Sequence, residues 1–263
     1  MYNTIHFLSC AVRKPGTWTT PTLKENRLRK NLLKSILLAN TAVALLLFSG
    51  CGQETGTGDK VDVINEGKIV YSLSYPQFES DNIFTSMFPK EMSFKFKDNN
   101  TKNELKTSMA VFSTSLLSNS KEKKVTHLVR IANKYSGLEM DSVEIMEEYG
   151  KKPDGMRITP TDSIKEIAGY KCKHAHVTFD NDTSKYFDIF YTNEIGIKDP
   201  NWCTPFYEIK GVMMEAQVTQ FNMDMHMIAT SVVAEEYPDE DFTITKEYQP
   251  ITIEEMADIF QSF

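Results

Sequence analysis

A mainly β domain of the α+β class, a curved antiparallel sheet or open barrel with two short helices, is what this chain predicts from three observations. Apolar residues recur at every second position through many short runs. Clusters of Asp, Asn, Gly and Ser separate several of those runs, and the C-terminal segment carries a complete helix start signal.

The elements follow in order. Ile69, Tyr71, Leu73 and Tyr75 share one face of a first strand. A helix is expected over Glu79 to Phe88, where Ile83, Phe84, Met87 and Phe88 fall at helical spacing and Pro89 ends it. Met92, Phe94 and Phe96 then alternate with Ser93, Lys95 and Lys97. Further strand-like runs are Leu105 to Leu117, Lys124 to Lys134, Ser142 to Tyr149, Tyr170 to Phe179, Lys185 to Tyr191, Val212 to Thr219 and Met223 to Val233. Turns are expected at Asp98-Asn99-Asn100, Ser118-Asn119-Ser120, Pro153-Asp154-Gly155 and Asp180-Asn181-Asp182. The last helix begins with a capping box, Thr252 and Glu255, and a hydrophobic staple, Ile251 and Met256. Ile253, Met256, Ile259, Phe260 and Phe263 form its apolar stripe.

The segment before this domain reads as a secretory leader. Arg27, Arg29, Lys30 and Lys34 flank an apolar run from Ile36 to Phe48, and Ser49-Gly50 precede Cys51. The 13-residue run is short of the roughly 20 residues that span a bilayer, so cleavage is expected before Cys51, which would carry the lipid. The predicted layout is a leader over 1–50, an acylated Cys51 with a polar tether over 51–62, and a single domain over 63–263. Residues 2–27 make the leader unusually long, and the start of translation is expected near Leu28. The expected location is the cell envelope, lipid-anchored at the outer membrane on its periplasmic or surface face.

Residues 1–50 hold seven of the 29 Lys and Arg and one of the 36 Asp and Glu, so the remainder carries 22 against 35, a net −13. A surface of that sign repels nucleic acid and anionic headgroups, leaving the lipid as the expected attachment to the membrane. Cys172 and Cys203 form a candidate disulfide in an oxidising compartment. Closing a loop of about thirty residues contributes roughly 3 to 4 kcal/mol in the chain-entropy model.

No Gly-rich phosphate loop, paired-His zinc helix or nucleophile elbow occurs. Ser118-Asn119-Ser120-Lys121 and Ser80-Asp81-Asn82 imitate penicillin-binding motifs in the wrong order, with no Lys-Thr-Gly to complete them. On a regular strand Cys172, His174 and His176 would face one side, and His-x-His can hold a metal. No carboxylate is fixed by sequence to support it, so no metal or cofactor is assigned. Met223, Met225 and Met227 share a face opposite His226, as packing inside a sheet or as the lining of a groove for flexible apolar ligands. They are the candidate groove residues.

Three stretches resemble the GLPGLI group and related uncharacterised lipoproteins of Bacteroidetes-type bacteria: Ile167-Ala168-Gly169-Tyr170-Lys171-Cys172-Lys173, Tyr191-Thr192-Asn193-Glu194-Ile195 and Ile209-Lys210-Gly211-Val212-Met213-Met214-Glu215. In the last, Lys210 stands where the family pattern has proline. The tail from Lys246 to Met256 is similar as well. The resemblance implies a fold similar to the lipoprotein carriers of the envelope: a curved antiparallel half-barrel with short helices over the open side. It brings no catalytic residue. The function expected is that of a non-enzymatic lipoprotein binding an acyl chain or apolar segment on its concave sheet. The alternative is a structural or assembly subunit of an envelope protein complex.

Overall fold

The computed structural model describes residues 63–78, 88–107, 111–220 and 223–261. Cys51, the expected helix up to Met87 and Phe263 lie outside them. The chain runs β1 (Glu66–Ser74), β2 (Glu91–Lys97), β3 (Asn100–Lys106), β4 (Phe112–Asn119), β5 (Lys124–Ile131), β6 (Lys134–Met140), α1 (Ser142–Glu148), β7 (Met156–Ile167), β8 (Tyr170–Phe179), β9 (Tyr186–Thr192), β10 (Val212–Gln220), β11 (Met223–Ala234), β12 (Gln249–Pro250) and α2 (Ile253–Gln261). All twelve strands join one open sheet in the order β12-β6-β5-β4-β3-β2-β1-β11-β10-β9-β8-β7. Every pairing between neighbours is antiparallel except that of β12 with β6. The mainly β class and the C-terminal helix are as the sequence predicts.

Alternation sets which side of each strand is buried. Ile69, Tyr71 and Leu73 of β1 stand opposite Phe94 and Met92 of β2 on one side and Val232, Ala229 and Met227 of β11 on the other. The bulky Tyr71 ring thus meets the small Ala229, and both are buried. Short hairpins join most neighbours, while β1 with β11 and β12 with β6 pair across the chain and a long connection joins β9 to β10. In the hairpin between β7 and β8, the two-residue turn Ala168-Gly169 has positive φ at both positions (50° and 84°), the geometry that matches the right-handed twist of the flanking strands.

The buried side chains form two clusters. The larger includes Ile69, Tyr71, Phe96, Cys172, Val177, Ile189, Met214 and Met225. The smaller gathers Val125, Val129, Leu138 and Met140 of β5 and β6 with Ile145 of α1, Cys203 and Met256 of α2. The connection between β9 and β10 joins the two: Phe206 packs in the first, while Cys203 packs in the second with Trp202 against it. Trp202 Nε1 donates to Ser118 Oγ of β4 at 2.9 Å, and the buried Asn201 amide donates to the carbonyls of Ile209 (2.7 Å) and Gly211 (2.9 Å). At Gly211 the backbone passes so close to β9 that a Cβ would lie 2.5 Å from the Thr192 carbonyl oxygen, which excludes any side chain.

Four expectations change. Ser142 to Tyr149 is helix α1 and its cap, not a strand, because Asp141 and Glu144 form a capping box whose reciprocal bonds nucleate a turn. The run from Leu105 to Leu117 is two strands, β3 and β4. Two strands are absent from the expected set, β6 and the polar β7, and β7 forms a free edge of the sheet among the described residues. The Cys172–Cys203 bridge is not formed: both are free buried thiols, one in the larger cluster and the other in the smaller.

Candidate functional site

A cavity of about 580 Å³ opens between the sheet and the segments that cross it. Its apolar wall is drawn from Tyr71, Phe94, Leu116, Phe187, Phe206 and Met227, residues of five different strands and of the β9–β10 connection. Charged residues, among them Glu147, Glu148, Lys151, Lys152 and Asp154, line it on the stretch around the end of α1. Lys152 pairs with Glu208 at 2.9 Å.

Polar groups also line much of the wall, and several of them are committed to partners. The Tyr71 hydroxyl donates to the Met213 carbonyl at 2.9 Å; burial, and then the neighbouring Cys172 thiol, push its phenol well above the usual range. His127, on β5, is buried between Thr114 Oγ1 (2.8 Å from Nε2) and the Tyr149 hydroxyl (2.6 Å from Nδ1), with the Phe260 ring of α2 stacked at 5.3 Å. That apolar enclosure depresses its pKa to about 4, so it is neutral at physiological pH. The carboxamide oxygen of Asn103 is buried without a hydrogen-bond partner, an acceptor on the cavity wall.

The three candidate groove methionines are not equivalent. Met227 lines the cavity. Met225, 4% exposed, sits in the packed core opposite Val218, and the side chain of Met223 lies outside the described residues. The wall residues that sequence reasoning missed, such as Leu116, Phe187 and Phe206, are separated by tens of residues along the chain, and no local pattern unites them. Neither buried thiol is an activated nucleophile. Burial pushes both Cys172 and Cys203 up to about 11, the latter against a weak hydrogen bond to Ser118.

Cys172, His174 and His176 do not share a face. The buried positions of β8 run Tyr170, Cys172, then Ala175, Val177 and Phe179, so alternation slips by one residue beside the irregularity between Thr161 and Ile164 of β7. Cys172 enters the core, while both histidines remain on a partly exposed face.

Residues 81–199 match the family Domain of unknown function (DUF4412). The matched segment takes in β2 to β9, and β1, β10 and β11 lie outside it. No curated protein matches the chain.

Proposed function

We propose that the protein is a non-enzymatic envelope lipoprotein, held to a membrane by an acylated Cys51, whose sheet curves into a half-barrel and takes an apolar ligand such as an acyl chain. The observation that carries this reading is the cavity. Its volume of about 580 Å³ lies within the roughly 300–1,000 Å³ typical of small-ligand sites, and its wall joins an aromatic and aliphatic part, drawn from Tyr71, Phe94, Leu116, Phe187, Phe206 and Met227, to a polar and charged part around the end of α1. The two helices support the half-barrel, since Met256 of α2 and Ile145 of α1 pack on the same cluster of β5 and β6 residues. The leader and the Ser-Gly-Cys box supply the anchor.

Native mass spectrometry of detergent-purified protein tests the ligand. A stoichiometric apolar molecule should travel with the folded chain, and Leu116→Trp, which fills part of the cavity, should displace it. A wild-type protein that carries no such molecule and binds no environment-sensitive hydrophobic dye would refute the carrier role. A stable protein partner in its place would favour an assembly subunit. The anchor is tested separately: labelled fatty acid should enter the wild type and not Cys51→Ala, and equal labelling of both defeats the lipoprotein assignment.

A further inference from the structure

The geometry points to a divalent transition-metal site on the outer face of β8 and β9, formed by His174 Nε2, His176 Nδ1 and Asp188. These three donors lie within 4.8 Å of one another. Asp188 is the cross-strand partner of His176, and its Oδ1 receives both imidazoles, at 2.8 Å from His176 and 2.9 Å from His174. Tetrahedral zinc with bonds of 2.0–2.2 Å sets its ligands about 3.4 Å apart, so each nitrogen–carboxylate separation need open by about half an ångström, while the two imidazole nitrogens already lie within 4.8 Å of each other. Asp188 and His176 are exposed enough to move that far by side-chain adjustment, their side chains being 48% and 38% accessible.

The surroundings are those of a supported ligand set. The other ring nitrogen of His174 lies 2.7 Å from Thr161 Oγ1 on β7; with Nδ1–H donating to that hydroxyl, Nε2 presents its lone pair to the ion. Phe190 stacks on the His174 ring at 4.8 Å and fixes its plane, and Tyr186 lies 5.6 Å from the His176 ring. Two imidazoles and one carboxylate suit zinc and its neighbours rather than calcium or magnesium, which prefer oxygen ligands. The solvent-facing side leaves a fourth position for water or an external ligand. The core thiol of Cys172 takes no part. The site is separate from the cavity, none of whose lining residues is His174, His176 or Asp188.

Titration of the purified full chain, without affinity-tag histidines, with zinc chloride in a calorimeter tests this. One equivalent should bind. His176→Gln should weaken binding tenfold or more, and Thr161→Val, which touches no ion, should weaken it about tenfold through the released His174 ring. His226→Gln should leave it unchanged, because that imidazole pairs with Glu215. Wild-type binding no tighter than that of His176→Gln, or an equal loss in His226→Gln, would overturn the assignment.

Discussion

Lowering the pH from 7 to 4 is expected to cost the folded domain about 3 kcal/mol through His127 alone. The unfolded imidazole has its ordinary pKa of 6.5, and the folded one is depressed to about 4 by burial. Between these values the unfolded chain binds a proton that the native state refuses. The stabilisation is therefore fully present above pH 6.5 and is lost as pH falls toward 4, at about 1.4 kcal/mol per unit. Protonation would also leave a cation facing Phe260 and Tyr149 in a site without a carboxylate among its hydrogen-bond partners. Urea midpoints measured across this range should fall steeply for the wild type and less so for His127→Phe, whose absolute stability is lower because the hydrogen bonds of the imidazole to Thr114 and Tyr149 are lost. Parallel slopes would show that His127 titrates normally and is not enclosed.

Met225→Asp is expected to unfold the domain. The side chain is 4% exposed in the larger cluster and does not line the cavity, so the new carboxylate would have neither water nor a cation. Burying it unpaired costs several kcal/mol, a large share of the 5–15 kcal/mol that holds a typical domain together. Far-ultraviolet circular dichroism and a thermal melt decide the matter. A folded variant with a wild-type midpoint would place residue 225 on an accessible wall, as the sequence pattern alone allows.

Met225 illustrates how far the sequence could be read. Period-two alternation marked Ile69, Tyr71, Phe94 and Phe96 as inward-facing, and all four are buried. The capping box at the last helix forms as its spacing predicts, with the Thr252 N–H donating to Glu255 Oε2 at 2.8 Å and the Glu255 N–H to Thr252 Oγ1 at 3.2 Å. Alternation tells inside from outside, but it does not tell packed core from cavity wall, because that depends on what crosses the sheet. Here the crossing is made by Phe206 and its neighbours, whose sequence carries no periodic signal. The histidine pair was visible while its carboxylate was not: Asp188 meets His176 only through strand register, and the slip in β8 that removes Cys172 depends on an irregularity in a neighbouring strand. Neither β6 nor β7 is legible in the sequence: β6 carries Gly137 at its centre and no regular alternation, and β7, an edge strand with most of its side chains in water, has no apolar period to detect.

The two rims of the sheet have a bearing on how copies of this molecule behave beside one another. An unpaired strand edge is a template for a second chain, and the high lateral density that the proposed lipid anchor would impose favours such encounters. One rim is closed from within. The parallel pair of Gln249 with Ser136 and Pro250 with Gly137, and the Ile251 N–H donating to the Gly137 carbonyl at 3.0 Å, occupy the outer edge of β6. The other is discouraged by its residues, since β7 has Pro160 near its middle and exposed Asp162, Lys165 and Glu166 beyond. The segment from Gln249 to Ile251 thus does more than lead into a helix. It converts an adhesive border into a passive one, so that copies meeting side by side can slide past without zipping together.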